Sequence, residues 1–323
     1  MTLRTALALA AVLAASGAAT AEDWPTRPIT MVVPFAAGGP TDAVGRVVAQ
    51  GLGETLGQPV VIENVGGAGG MTGASRVAHA SPDGNVVLFG GGSTQIFNQL
   101  LYKKPLYNAR TDFAPVALLT EQASVLIARK DLPANSLSEF IRQAKQSGAM
   151  SFGSSGVGST THLACLLLNG AIGAEVTHVP YRGAAPAMQD MIGGRIDYMC
   201  DLVPDAVGHI RAGDVKAIAV LAPTRSPILP DVATAAEQGL PGVEANSWYG
   251  LFLPKGVADA IVQKLAAAAG AAVDSAAVRE RLRGLGVDVV APERRGSDYL
   301  ARFIGEEHAK WAAPIRASGI TVN

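Results

Sequence analysis

The chain of 323 residues is 49% apolar and 16% charged, and its formal net charge is −1. This composition excludes general disorder and a polyanion such as nucleic acid as the main partner. The length favours about two domains, each with a core large enough to fold without a metal or disulfide staple.

Segment 1–21 predicts a secretory signal peptide. Arg4 precedes a run rich in Ala, Leu and Val that ends in the cleavage pattern Ala19-Thr20-Ala21. The run is shorter than a membrane span and no basic stop follows it, which disfavours a membrane anchor. Removal of Arg4 takes the 26 basic residues to 25 against 27 acidic ones, a net charge of −2. We therefore expect an exported, near-neutral protein.

From residue 29 onward, short β-branched strands alternate with segments of helical periodicity. This alternation predicts an α/β architecture with mainly parallel sheets, flanking helices and right-handed crossovers. The predicted strands are 29–35, 59–62, 86–90, 124–129, 151–152, 176–179, 196–200 and 215–221. The predicted helices are 41–56, 71–79, 137–146, 159–169, 185–192, 232–238, 258–272, 278–282 and 299–313.

The succession of strand, glycine-rich loop and helix occurs twice, at 29–52 and at 149–169. This repetition predicts two similar lobes, with strands 124–129 and 215–221 as the segments that carry the chain between them. The predicted boundaries place residues 22–124 plus 225–323 in lobe one and residues 125–224 in lobe two. A discontinuous lobe with two crossings is typical of a hinged protein.

The two glycine-rich loops, 34–42 and 152–162, indicate a binding site. Glycine allows a close backbone approach, and the free N–H groups and dipole of a helix N-terminus attract an anion. Such loops lie at the carboxyl ends of the strands, where open α/β sheets bind ligands. Two facing loops would hold a small dianion. The alternative is a pair of ordinary turns, N-capped at Thr41 or Asp42 and at Ser159.

Motifs for other chemistries are missing from the sequence. It contains no phosphate-binding G-x-x-x-x-G-K-[ST], no G-x-G-x-x-G and no G-x-S-x-G. The run 66–70 indicates a flexible turn or a rim to the cleft. The five histidines show no metal-ligand spacing, so we predict neither metal nor cofactor. Cys165 and Cys200 fit either a disulfide or two buried thiols.

A hydrolase that pairs a loop serine with a histidine remains an alternative, because catalytic triads assemble in space. Ser159 and His162 lie three residues apart on one helix face, which is poor geometry for that chemistry. Trp248 and Tyr249 are equally typical of a cleft wall and of a core. Asp201, at the carboxyl end of a predicted strand, could bind an amino group.

Several segments, in this order and spacing, resemble the Bug-type periplasmic solute receptors of the tripartite tricarboxylate transporter family. They are WPTRPITMVVPFAAGGPTDAVGR at 24–46, VIENVGGAGGMTGA at 61–74, DGNVVLFGGGST at 83–94, YNARTDFAPVALL at 107–119, MSFGSSGVGSTTHLA at 150–164, VTHVPYRGAAPAMQDMIGGRIDYMCD at 176–201 and NSWYGLFLPKGV at 246–257.

The resemblance implies a monomeric, two-lobed Venus-flytrap protein of the periplasm that does no catalysis. It would capture a small carboxylate (a dicarboxylate, an aromatic acid or an acidic amino acid) and deliver it to a membrane permease. A sensor that reports the ligand to a membrane signalling partner is the alternative role. The implied ligand-binding residues are Ala37, Gly38, Gly39, Thr41 and Asp42 in the first loop, Ser154, Ser155, Ser159, Thr160 and His162 in the second, and Ser93, Thr94 and Asp201 as specificity positions.

Overall fold

A computed structural model describes residues 24–147, 150–317 and 321, so the predicted signal peptide lies outside the described residues. The strands are β1 (Ile29–Val33), β2 (Val60–Asn64), β3 (Val86–Gly91), β4 (Phe113–Gln122), β5 (Ser124–Arg129), β6 (Ser151–Ser154), β7 (Thr177–Pro180), β8 (Tyr198–Leu202), β9 (Val215–Leu221), β10 (Ser247–Pro254) and β11 (Val287–Val289). The helices are α1 (Pro40–Leu56), α2 (Met71–Ala78), α3 (Asn98–Leu101), α4 (Leu137–Ser147), α5 (Thr160–Ile172), α6 (Ala184–Ile192), α7 (Val203–Ala212), α8 (Asp259–Asp274), α9 (Ala276–Gly284) and α10 (Ser297–Ala317).

The first lobe contains a six-stranded sheet in the order β11-β4-β10-β3-β1-β2. Strands β1, β2 and β3 pair in parallel because helices α1 and α2 provide the crossovers between them. Strand β10 enters antiparallel between β3 and β4, and β11 pairs antiparallel with β4. All eight residues of β10 are buried, so this strand forms the middle of the lobe.

The second lobe contains a five-stranded sheet in the order β7-β6-β8-β5-β9. Strands β6, β7 and β8 are parallel, whereas β5 pairs antiparallel with β8 and β9. The predicted α/β fold with two lobes is confirmed, but both sheets are mixed rather than mainly parallel. Local βα repeats produce the parallel pairs, and the strands next to the lobe crossings supply the antiparallel ones.

The chain leaves the first sheet after Gln122 and enters the second at Ser124. It returns through the segment between Leu221 and Ser247, not through β9, which lies within the second sheet. In that segment the side chains of Ala235, Val243 and Ala245 belong to the core of the second lobe. The packing therefore places the return crossing near residue 246 rather than at the predicted boundary of 225.

The predicted helix over 232–238 is wrong, because this segment forms turns and an isolated parallel bridge between Val220 and Thr234. Strands β4, β10 and β11 and helices α3 and α7 were not predicted. Among the described residues no single helix is long and apolar enough to cross a membrane; α8 and α9 pass that test only as a pair bent by 69°.

Apolar contacts join the two lobes beside the cleft. Leu163 of α5 belongs to a buried cluster that otherwise consists of first-lobe residues such as Phe97 and Trp248. Leu202 likewise lies in the first-lobe cluster that contains Val44 and Tyr249. These contacts bring the two glycine-rich loops to face each other across the cleft.

Candidate functional site

A small cavity lies between the two lobes, at the carboxyl ends of the parallel strands. It leaves about 20 Å³ for the centres of water-sized molecules, the room of one or two waters. The lobes are therefore closed in this structure. The lining residues are Phe35, Gly39, Pro40, Thr41, Ser93 and Tyr249 from the first lobe and Ser155, Ser159, Thr160, Thr161, Ala184 and Leu202 from the second.

Four helices begin at this cavity, two more than the sequence predicted. Helix α1 starts at Pro40 and α5 at Thr160, while α6 starts at Ala184 and α7 follows the N-cap residue Leu202. No lining residue in the described part of the chain carries a charged side chain. The positive potential that an anion meets here therefore comes from helix N-termini and their N–H groups.

The first loop is held in shape by Asp42, which does not line the cavity. Its carboxylate accepts hydrogen bonds from the Gly38 N–H at 2.9 Å and from Arg46 Nε at 2.9 Å, and Asn64 Nδ2 donates to it at 3.0 Å. Burial alone would raise the pKa of Asp42, but these hydrogen bonds outweigh it and lower the pKa below its ordinary value. Gly38 has a φ of +84°, which a residue with a side chain rarely adopts.

A pair of hydroxyl groups closes the first-lobe wall of the cavity. Thr41 Oγ1 and the Tyr249 hydroxyl lie 2.9 Å apart, and both residues are buried. Burial raises the pKa of Tyr249 above its ordinary value, so this hydroxyl keeps its proton. Of the two adjacent aromatic residues, Tyr249 thus lines the cleft, whereas Trp248 packs edge-on against Phe303.

The second loop is organised by hydroxyl groups around the start of α5. The Ser155 N–H donates to Thr161 Oγ1 at 2.8 Å, and Thr161 Oγ1 lies 3.0 Å from Ser159 Oγ. Ser159 is the N-cap and accepts from the His162 N–H at 3.2 Å. Within the described residues, the N–H groups of Thr160 and Thr161 have no protein acceptor. These two donors are therefore available to an anion.

Two stacked histidines support the second loop from behind, with ring centroids 4.1 Å apart. His162 Nδ1 accepts the Gly158 N–H at 3.3 Å, which assigns the ring proton to Nε2. Ser154 Oγ accepts the Gly156 N–H at 3.1 Å and lies 2.7 Å from His178 Nε2, where either atom can be the donor. The loop therefore depends on the His162 imidazole remaining neutral, because its Nδ1 must accept the Gly158 N–H.

The contact between Ser154 and His178 does not support the hydrolase alternative. Ser154 is fully buried and does not line the cavity, so a substrate cannot reach its hydroxyl group. Burial also lowers the pKa of His178 to about 4, which makes it a weak base at neutral pH.

Cys165 and Cys200 form a disulfide, with their Cα atoms 5.2 Å apart. The bond ties α5 to β8, and both elements lead into the cavity, through Thr160 and Leu202 respectively. Of the two alternatives that the sequence left open for these cysteines, a disulfide or two buried thiols, the structure shows the disulfide.

The family model described as "Tripartite tricarboxylate transporter family receptor" matches residues 44–320. The chain belongs to this family. It is a solute-binding receptor, which confirms the resemblance drawn from its motifs, and its relatives are periplasmic binding proteins.

Solved structures of relatives have the same fold. The receptor superimposes on the periplasmic binding protein BugD with a TM-score of 0.89 at 37% identity, covering 92% of this chain and 99% of that chain. MatC of Rhodopseudomonas palustris, solved with bound malate, superimposes with a TM-score of 0.87 at 44% identity, and the match covers 90% of this chain and 100% of that chain. A second R. palustris protein, solved with adipate, superimposes with a TM-score of 0.88 at 34% identity, and the match covers 93% of this chain and 99% of that chain.

The structure brings together six of the residues predicted to bind the ligand: Gly39, Thr41, Ser93, Ser155, Ser159 and Thr160 line the cavity. Seven do not line it: Ala37, Gly38, Asp42, Thr94, Ser154, His162 and Asp201. The other lining residues are Phe35, Pro40, Thr161, Ala184 and Leu202, which were not predicted, and Tyr249, which the sequence left open between a cleft wall and the core. Phe35, Pro40 and Thr161 lie inside the two loops, so the loop motif itself could have included them.

Asp201 is fully buried beside the cavity rather than exposed to it. Its Oδ1 accepts the Leu202 N–H at 2.8 Å, and its carboxyl group also interacts with the buried carboxyl group of Asp205. Burial and the nearby Asp205 raise the pKa of Asp201 well above its ordinary value. Because its carboxyl group is fully buried and does not line the cavity, Asp201 does not contact a ligand ammonium group there, which was the role considered from the sequence.

The two stacked histidines predict a loss of stability in mild acid. Burial and the neighbouring His178 lower the pKa of His162 to about 3, whereas an unfolded histidine has a pKa of about 6.5. Below pH 6.5 the unfolded state therefore binds more protons, and the free energy of unfolding falls as the pH falls from about 6.5 towards 4. For His162 the loss is at most about 1.4 kcal/mol per pH unit. Urea denaturation at pH 7 and pH 5 measures it.

The control is His162→Gln, which retains a side-chain oxygen as an acceptor but does not titrate. The difference in stability between pH 7 and pH 5 should be smaller in this variant, because other titrating groups such as Asp201 contribute equally to both proteins. If the free energy of unfolding depends equally on pH in the two proteins, His162 is not the titrating group that destabilises the receptor in acid.

Proposed function

We propose that this receptor captures a small dicarboxylate in the periplasm and delivers it to a membrane permease without transforming it. The observation that carries the proposal is the convergence of four helix N-termini on an uncharged cavity between the lobes. Backbone N–H groups at helix starts stabilise carboxylates without a basic side chain. This explains how a chain with a net charge of −1 can bind an anion.

The proposed binding residues are those that line the cavity. The free N–H groups of Thr160 and Thr161 would hold one carboxylate from the second lobe, and the start of α1 would hold it from the first. The hydroxyl groups of Thr41, Ser93 and Tyr249 suit a ligand hydroxyl or a second carboxylate. Ala37, Gly38, Asp42, Ser154 and His162 would act indirectly, by shaping the two loops.

The uncharged lining with its hydroxyl groups favours a small hydroxylated dicarboxylate, and the relative with 44% identity was solved with malate, which has four carbons. Phe35, Leu202 and Tyr249 keep the cavity narrow. Aspartate differs from malate chiefly by an ammonium group in place of the hydroxyl. Since the lining offers no carboxylate as a counter-charge, we propose that malate binds more tightly than aspartate.

Thermal unfolding with a panel of acids tests the function. Malate, succinate, adipate, an aromatic acid and aspartate are compared at equal concentrations. A ligand present at about one hundred times its Kd raises the free energy of unfolding by about 2.7 kcal/mol, so malate should raise the Tm clearly. If none of these acids shifts the Tm, the proposal is wrong. An esterase substrate panel on the same protein tests the absence of hydrolysis.

A further inference from the structure

The glycine-rich run 66–70 has an unusual backbone and does not line the cavity. Four consecutive residues have positive φ angles: Gly67 at 137°, Ala68 at 48°, Gly69 at 59° and Gly70 at 91°. Only Ala68 among them has a side chain, which makes it a strained position. Asn98 Nδ2 donates to the Gly69 carbonyl at 3.3 Å and holds the run against the first lobe.

Across the cleft, this run meets the backbone of the second lobe with no room for a side chain. A Cβ atom placed on Gly69 would lie 2.1 Å from the Val157 carbonyl oxygen. One on Gly66 would lie 2.8 Å from the Arg182 carbonyl oxygen. From the other side, a Cβ atom on Gly156 would lie 3.2 Å from the Gly69 nitrogen.

Two hydrogen bonds between the lobes lie beside these close backbone contacts. The Ala36 N–H donates to the Arg182 carbonyl at 3.4 Å. The Tyr102 hydroxyl donates to the Val157 carbonyl at 3.3 Å. Each of these contacts joins a first-lobe residue to a second-lobe residue, so separation of the lobes breaks all of them together.

We propose that Gly66, Gly69 and Gly156, here called the glycine seam, set how far the lobes can close and thereby how long the receptor retains its ligand. The seam acts by the absence of side chains, which lets two backbones meet at the rim. Its effect on retention rests on the proposed function, whereas its effect on closure does not. Because none of the three glycines lines the cavity, the seam differs from the ligand-binding residues.

Gly69→Ala tests the proposal, because the added methyl group would collide with the Val157 carbonyl. The matched control is Gly173→Ala: Gly173 has a similar φ of 65°, but nothing lies within 4 Å of its Cβ position. Both variants thus carry the same backbone strain, and only one obstructs closure. Gly66→Ala is a second obstructing variant at a position without a positive φ.

Small-angle X-ray scattering and malate titration are measured on the wild-type protein and all three variants, with and without malate. We expect Gly69→Ala and Gly66→Ala to keep a larger radius of gyration in malate and to bind it at least tenfold more weakly, mainly through faster dissociation. Gly173→Ala should match the wild type in both measurements.

Equal radii and equal affinities in the seam variants and the control would overturn the proposal. If no protein binds malate or another dicarboxylate, the radii decide alone. Expanded seam variants beside a compact wild type and control would then support the seam and refute the proposed function. Equal radii would refute the seam as well.

Discussion

Replacing Cys165 and Cys200 together by alanine is expected to lower the free energy of unfolding by about 3–4 kcal/mol. The two cysteines are 35 residues apart in sequence, so the disulfide removes considerable loop-closure entropy from the unfolded chain. Both side chains are fully buried in the core of the second lobe, and alanine also leaves a small cavity there. Urea denaturation of the variant and the oxidised wild type at neutral pH measures the difference.

Reduction of the wild type provides the control. Reduced wild-type protein should lose most of the same stability, because it lacks the cross-link but retains both sulfur atoms. The variant should remain insensitive to reductant. A loss of stability below about 1 kcal/mol in both would show that the disulfide contributes little constraint.

The same bond should influence ligand binding, since it ties the start of the binding helix to the strand that ends in the cavity. Without it, α5 and β8 remain packed through apolar contacts, and we expect the lobe to keep its fold. The position of Thr160 relative to Leu202 then depends on packing alone.

Local signals explain why the βα units of both lobes could be predicted from the sequence. Strand β1, the glycine-rich loop and α1 follow each other directly, and the apolar residues of α1 recur at helical spacing on its buried face, as at Val44, Val47 and Val48. The β-branched run, the glycines and the helical periodicity are each visible within about 25 residues. Strand β6 and α5 repeat the arrangement.

Strand β10 could not be predicted by the same reasoning, because its environment is set by distant parts of the chain. It is buried on both faces and shows no alternation of polar and apolar residues. Its partners β3 and β4 precede it by more than a hundred residues. The helix predicted over 232–238 is wrong for a related reason. The Ala235 N–H donates to the Val220 carbonyl of β9, so this backbone pairs with a strand instead of forming a helix.

The candidate site likewise contains residues that local motifs predict and residues that depend on distant parts of the chain. Gly39, Ser155 and Thr160 were predicted because their loop motif fixes their position at a helix start. Asp42 belongs to the same motif, but Gly38 and Asn64 bind its carboxylate and draw it away from the cavity. Leu202 and Tyr249 are placed at the cavity by the pairing of β8 and β10 with strands distant in sequence, which no local pattern reports.

Replacing Thr160 by proline is expected to weaken dicarboxylate binding by about 10- to 100-fold with little change in the free energy of unfolding. Proline has no N–H, so this change removes one donor from the second-lobe anion site. A hydrogen bond to a charged group contributes about 1.5–3 kcal/mol, which sets the expected loss of affinity. Titration calorimetry with malate measures the affinity, and urea denaturation measures the stability.

The helix should tolerate this proline because Thr160 is the first residue of α5. Proline is favoured at that position, where the N–H has no acceptor within the helix. The preceding residue, Ser159, has φ −75° and ψ 160°, a conformation that a following proline allows. Helix α1 already begins with Pro40 in the facing loop.

Thr160→Val is the matched control, since it preserves the shape of the side chain and the N–H while removing the hydroxyl group. If the backbone donor binds the ligand, the valine variant retains affinity within a few-fold of the wild type and the proline variant does not. If both variants lose affinity equally, the hydroxyl group is the ligand contact. If neither does, the Thr160 N–H does not bind the ligand and the prediction is wrong; the carboxylate must then be held by the Thr161 N–H and the N-termini of α1, α6 and α7.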